Sequence, residues 1–431
     1  MDVIWLYGAL ILFLLMFLGV PMVFVTTGFG IMWLIITGKA FLLTEIVASF
    51  SAGLDNFILL AIPLFVVAGE IMNSGGITKD IFNLSRAFVG WLRGGLAYVN
   101  IIASTIFGGI SGASAADIAG LGLIEMETMK KAGYDIPFSA ALTAASSIQA
   151  PLIPPSMPAV VVGGLLGISI GGLFLGGLVP GLLIAGGCAV IVFFRVKQRN
   201  YELRPIPFSR SFALKSLKEG IPAIIAPLII VGGIVFGVFS PTEAAAIAAF
   251  YSLIIGFWKK DLKLNMLPGI MFRATEKAGM IFVVLGGAAV FQWVISYEGF
   301  VTLFNDWYIS LVGDSVFLFF LMLNIIFIFW GMWLPIIVAQ LLLCPIFYPI
   351  ALSLGVNPIH FGIVSIFNLM IGLLTPPVGS NIFVTQSIAN VGYVELVKEL
   401  IPFLIIDFAL LALLTYFPEI ILFLPRIFGF A

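Results

Sequence analysis

From residue 278 to residue 397 the chain contains no lysine or arginine. A soluble domain carries about one charged residue in four, so this stretch does not belong to a water-soluble body. The rest agrees: 61% of the 431 residues are hydrophobic, 10% are charged, and the mean hydropathy is +1.20. The expected fold class is an all-α polytopic membrane protein. The amino terminus, MDVIWLYGALILFLLMFLGVPMVFV, has no basic segment before its apolar core and reads as a first membrane segment rather than a cleaved signal peptide. The 46 glycines suit close helix contacts, and the 41 phenylalanines suit lipid-facing bulk.

Several function classes drop out. A net charge of −1 argues against nucleic acid as a partner. Cys188 and Cys344 lie in apolar runs and read as small buried hydrophobes. The single histidine, His360 in NPIHFG, leaves no Ser, His and acid arrangement, and no transition-metal motif occurs. A GxxxxGK[ST] phosphate loop is absent, so no enzyme activity and no ATP hydrolysis is expected.

Within the apolar runs, paired prolines stand out in IPPS (153–156) and GLLTPPVGSNIF (372–383). Proline lacks a backbone donor and clashes with the preceding turn, so a pair breaks a membrane helix. The pairs at 154–155 and 376–377 lie 222 positions apart, about half the chain, and each follows a glycine interruption, FGGISGAS (107–114) or FWGMWLP (329–335). This order predicts two repeats, 1–194 and 221–431, divided by a basic, cytoplasmic connector at 195–220 that reads as a solvated loop. Arg86 and Arg93 precede the first interruption and Lys130 and Lys131 follow it, which predicts a helical hairpin over about 95–129 entering from the inside. The second interruption has no nearby cation and follows Glu298, Asp306 and Asp314, which predicts an opposite hairpin over about 315–349. Crossings near 4–20, 22–38, 56–72, 221–237, 241–257 and 278–296 complete an inverted-repeat plan of the kind used by secondary transporters. Residues 39–55 fit either a surface or a re-entrant piece.

A helix broken at Pro-Pro exposes carbonyls at one half's end and amides at the next half's start. The first suit a cation and the second an anion. Ser111, Ser114, Ser156 and Thr375 add hydroxyl oxygens beside the tips and breaks, a hard-oxygen set suited to Na⁺. Gly112, Gly372 and Gly379 allow unusual backbone angles or close approach. Asp117 follows the first tip and reads as facing a polar cavity. Glu243, in SPTEAAA, reads as a helix-start residue behind Ser240 and Pro241, and Glu276 as an edge residue. A carrier working alone on a small anionic metabolite satisfies the same residues.

FGGISGASAADIAGLG (107–122), SSIQAPLIPPSMPAVVVGG (146–164), GVFSPTEAAAIAAFY (237–251), NPIHFGIV (357–364) and NLMIGLLTPPVGSNIFV (368–384) together resemble the large, DctM-type membrane subunit of tripartite ATP-independent periplasmic transporters. The resemblance implies an elevator-type carrier with two helical hairpins, importing an organic acid (a dicarboxylate, keto acid or sialic-acid-like compound) on a sodium gradient. It implies two partners, a small four-helix membrane subunit and a periplasmic solute-binding protein, and an inner-membrane location in contact with lipid. No cofactor is expected beyond Na⁺ as coupling ion. The family's sodium sites match Ser111, Gly112 and Ser114 with Pro154 and Ser156, and Gly331 with Thr375, Pro376 and Gly379. Asp117, Pro155, Pro377, Ser380 and Asn381 form the expected substrate side. Leu334 and Pro335 stand where the family's second tip usually has an acid, and Ala150 stands where it often has glycine.

Overall fold

The computed structural model describes residues 3–199, 201 and 208–431, and every regular element in it is helical. The chain opens with the pair α1 (Val3–Phe17) and α2 (Met22–Ile36), followed by the short helix α3 (Leu43–Leu54). Here α3 buries Ile46 against Leu34 and Val290 and leaves much of its other face exposed. After α4 (Ala61–Ser74) and α5 (Ile77–Val89), the first hairpin rises as α6 (Gly95–Ser111). It returns through α7 (Ser114–Asp117), one π-helical turn over Ile118–Gly122, and α8 (Leu123–Lys131). The helices α9 (Ile136–Ser147) and α10 (Met157–Leu166) flank the first proline pair.

Four long helices follow: α11 (Ile170–Gln198), α12 (Arg210–Val235), α13 (Pro241–Trp258) and α14 (Leu267–Tyr297). Ser240 and Glu243 form a capping box at the start of α13 and Pro241 is its first residue, the helix-start role expected for this acid. Beyond α15 (Phe300–Val312), the second hairpin is α16 (Val316–Trp333) and α17 (Ile336–Ser353), with Pro345 and Pro349 inside the latter. The second proline pair separates α18 (Pro358–Gly372) from α19 (Ser380–Ala389), and α20 (Tyr393–Tyr416) and α21 (Pro418–Ile427) end the chain. Among the described residues, seven helical stretches are long and apolar enough to cross a membrane, or eight if α20 and α21 count as one span bent by 63°. Both arms of the second hairpin are among the seven, each 18 residues and so about 27 Å long, close to the depth of the hydrocarbon core.

The basic stretch 195–220 is not the solvated loop expected from sequence, because helix runs into both of its ends. The first end belongs to α11, and α12 starts at Arg210 behind Ser209, whose Oγ accepts from the Phe212 amide at 3.3 Å. Its residues 200 and 202–207 lie outside the described residues. Arg199 binds Asp135 at 2.6 Å and also Glu399, while the Tyr201 hydroxyl donates to Asp135 at 2.7 Å. A guanidinium has donors enough for two carboxylates; Asp135 stands at the start of α9 and Glu399 in the second turn of α20. The connector therefore clasps both halves.

The other ion pairs sort the chain's charges to two ends. Lys39 meets Glu298 at 2.9 Å, joining the corner before α3 to the end of α14. At the start of that same helix Arg273, at 3.1 Å, and Lys277 bind Glu70 of α4. The part of α14 between Arg273 or Lys277 and Glu298 separates these clusters by roughly 35 Å. Lys259 meets Asp80 of α5 at 2.5 Å, which places the basic turn after α13 beside the helix carrying Arg86.

Cys188 and Cys344 are free and buried, so the native chain offers a quiet background for thiol labelling. Single cysteines at the exposed positions Arg93 and Lys130 are expected to resist an impermeant reagent in intact cells, and one at exposed Asp314 to react. Labelling of only one of the first two from outside would remove the first hairpin.

Candidate functional site

The first tip is made by backbone conformation. Gly112 has φ +59°, a left-handed value that glycine adopts without strain, and Ala113 is extended, so the chain reverses between α6 and α7. A Cβ on Gly112 would lie 2.4 Å from the carbonyl oxygen of Pro155. This glycine is needed for close approach as well as for the turn, because the tip sits directly on the first break. Beneath it Pro154 and Pro155 are buried. Ser156 starts α10 by accepting from the Ala159 amide at 3.1 Å, and its own hydroxyl donates back to the Pro151 carbonyl. Among the described residues no donor reaches the carbonyls of Pro154 or Pro155. The Ser111 hydroxyl is likewise buried without a partner.

The second tip and break are joined in a similar way. A Cβ on Gly372, at the end of α18, would lie 2.6 Å from Gly331 of α16, so the two backbones touch. Gly379, with φ +54°, donates its amide to Met332 at 3.2 Å, tying the break to the tip. Across the gap the Asn381 amide donates to the Leu373 carbonyl at 3.1 Å. Thr375 donates its hydroxyl to the Ile371 carbonyl at 2.8 Å, which commits the proton and leaves oxygen lone pairs free. Leu334 is buried and Pro335 is exposed, so neither supplies an acid at this tip.

One hydrogen bond joins the two half-sites: Asn381 Nδ2 donates to Ser114 Oγ at 3.0 Å, with both residues buried. The packing is reciprocal. The half-helix α19 lies against α8 and α9, and α10 lies against α17 of the other hairpin. Ser111, Gly112, Pro154, Pro155 and Ser156 thus form one cluster, Gly331, Thr375, Pro376 and Gly379 a second, and Ser114 with Asn381 the bridge. Pro377 and Ser380 sit at the exposed edge of the second cluster, with the Pro377 carbonyl accepting from the Tyr393 hydroxyl at 2.7 Å. Asp117 is 1% exposed, one turn inside the first tip.

Sequence reasoning passed over a buried polar network behind each tip. In the first half Asn100 Nδ2 donates to Glu125 at 2.6 Å and to Thr143 at 2.8 Å. In the second, Asn368 donates to Asn324 at 2.6 Å and Asn324 to Thr415 at 3.3 Å. Asp407 is also buried in the middle of α20. The available signal was polarity itself, since an amide or acid within an apolar run seldom lacks a partner or a role. Free carbonyls and an unpaired hydroxyl are the chemistry of a hard-cation ligand, and the start of a helix is that of an anion contact.

The family described as "Tripartite ATP-independent periplasmic transporter, DctM component" matches residues 9–420. The chain is 38% identical to the sialic acid TRAP transporter large permease protein SiaM of Vibrio cholerae, over 96% of each chain. It is 34% identical to the C4-dicarboxylate TRAP transporter large permease protein DctM of Pseudomonas aeruginosa, over 87% of this chain and 88% of that one. Its fold is similar to the crystal structure of the YdaH transporter of Alcanivorax borkumensis, with a TM-score of 0.57, 15% identity and 89% of each chain covered. The chain belongs to the DctM family of tripartite ATP-independent periplasmic transporters, as a multi-pass large permease of the inner membrane.

Proposed function

We propose that this permease imports an organic acid of the sialic acid or C4-dicarboxylate class, driven by sodium ions bound where the hairpin tips meet the broken helices. The observation that carries the proposal is the Asn381–Ser114 hydrogen bond at 3.0 Å, which unites carbonyl-ended breaks and hydroxyl-bearing tips in one buried region. The cation is held by Ser111, Ser114 and the Pro154–Pro155 carbonyls on one side, and by Thr375 and the carbonyls around Pro376 on the other. The carboxylate of the substrate faces the amide end of α19, at Ser380 and Asn381, where the helix dipole favours negative charge. A periplasmic binding protein delivers the substrate, and a small membrane subunit completes the assembly. The two tips and two breaks move as one body in an elevator-type cycle, which their mutual packing supports.

The energy source follows from the ion. One positive charge moving inward across 100 mV yields about 2.3 kcal/mol, so two or more sodium ions sustain steep accumulation without ATP. In vesicles containing all partners, uptake is expected to collapse when Na⁺ is replaced by K⁺ at constant potential. Undiminished accumulation in K⁺ would end the sodium reading.

The hydroxyls can be graded. Ser111→Ala removes an unpartnered buried oxygen, whereas Thr375→Val removes one that already serves its own helix. Both are expected to raise the sodium concentration for half-maximal uptake, the first by roughly five- to tenfold, from about 1–1.5 kcal/mol for a lost polar contact, and the second by less. Sodium titrations normalised to assembled protein check this, and an unchanged midpoint in both variants leaves only main-chain carbonyls as ligands.

A further inference from the structure

Behind the first tip, the return arm of the hairpin carries two acids that the transport site does not need for its oxygen cage. Asp117 and Glu125 are each 1% exposed and stand eight residues apart along α7, the π turn and α8. Glu125 accepts from Asn100 Nδ2 through Oε2 at 2.6 Å, but its Oε1 is buried with no partner. Both oxygens of Asp117 are buried without a hydrogen bond of normal geometry, with Ser104 as a neighbour. A line of polar side chains runs between the two acids. The Ser104 and Ser146 hydroxyls lie 3.3 Å apart, Ser146 donates to Asn100 Oδ1 at 2.8 Å, and Asn100 reaches Glu125.

Among the described residues no cationic side chain answers these carboxylates. Among the described residues neither acid forms an ion pair, and the packed surfaces of α6, α9 and α19 offer Asn100, Ser104, Thr143, Ser146, Asn381 and Thr385, none of them charged. On α5, Lys79 is exposed, Asp80 is held by Lys259, and Arg86 lies over the Phe212 ring. Further along α8, Glu127 pairs with Lys131 at the exposed end and Lys130 is exposed, while Asp135 is held by Arg199. Removing one ionised carboxylate from water costs several kcal/mol, and a second one nearby adds like-charge repulsion. Loss of one negative charge relieves both costs.

We propose that Asp117 and Glu125 together form a proton-binding site holding one exchangeable proton. Asp117 carries it, since its oxygens accept no hydrogen bond of normal geometry, and Glu125 keeps the negative charge under the Asn100 amide. The proton comes from water, forms an O–H bond on an Asp117 oxygen, and leaves by the same route. No oxidation or other bond change is involved. Because Asp117 lies one turn from Ser114, filling or emptying this site changes the charge beside the Ser114–Asn381 bridge and so links external pH to the loading of the tip. The site stands whichever ion drives transport.

Infrared difference spectroscopy of the intact carrier in lipid nanodiscs, between acid and alkaline buffer, reads the carbonyl stretch of a protonated carboxylic acid in apolar surroundings. Asp407 is also buried and gives its own signal, so the D407N variant supplies the background. In D407N a titrating band worth one acid per chain is expected. Adding both D117N and E125Q should abolish it, and adding E125Q alone should retain it with a midpoint at lower pH, because the like charge is gone. A band unchanged by the D117N/E125Q pair overturns the proposal. So does the absence of any band in D407N, and that result decides the matter even if the further variants fail to fold. Sodium-independent uptake beside an intact band would remove the sodium reading and leave the proton site standing. Sodium-dependent uptake with no band would do the reverse.

Discussion

A peptide carbonyl that has lost its helix partner can exist inside a membrane protein only where something polar meets it or protein covers it. Leaving such a group buried and unsatisfied costs about 1–3 kcal/mol, and the proline pairs create several. The fold answers by seating a hairpin tip on each break. Gly112 touches the Pro155 carbonyl, and Gly331 touches Gly372. Glycine is required at these contacts because any side chain would occupy the space of the opposing backbone. The breaks and tips are therefore paired by necessity.

Polar contacts at other depths hold the pairs in register. Asn100 and Asn324 each sit on the first arm of a hairpin and each reach the helix preceding the corresponding break, through Thr143 and Asn368. Interhelical bonds of this kind contribute roughly 0.6–2 kcal/mol in a membrane, enough to fix a helix's rotation. Near the ends, ion pairs take over. Arg199 links the segment between the halves to α9 and α20, and Glu70 and Glu298 hold opposite ends of α14.

Much of this was legible in the residues. Glycine at a tip and paired prolines at a break are extreme backbone choices, so they announced the hairpins and interrupted helices directly. The capping role of Glu243 was equally plain from Ser240 and Pro241. The polar networks were harder to see, because one asparagine in an apolar run does not disclose its partner, and Glu125 lies in LIEMETMKK, where charge looks like a helix end. The connector was misjudged because basic residues on the extension of a membrane helix and basic residues in a loop have the same composition. Arg199 needed two carboxylates from distant parts of the chain before its role was visible.

The two hairpins also differ in where their hydrogen-bond ladders are weakened. In the first, the irregular place is the π turn at Ile118–Gly122, about one and a half to three turns from the tip. In the second, Pro345 and Pro349 remove two amide donors from α17, about three and four turns beyond the tip. A rod bends where its lattice is interrupted. The first hairpin can thus flex close to its apex, while the second keeps a stiff apex on a hinge set further back. Equal displacements at the two tips would then produce unequal rotations of the arms behind them.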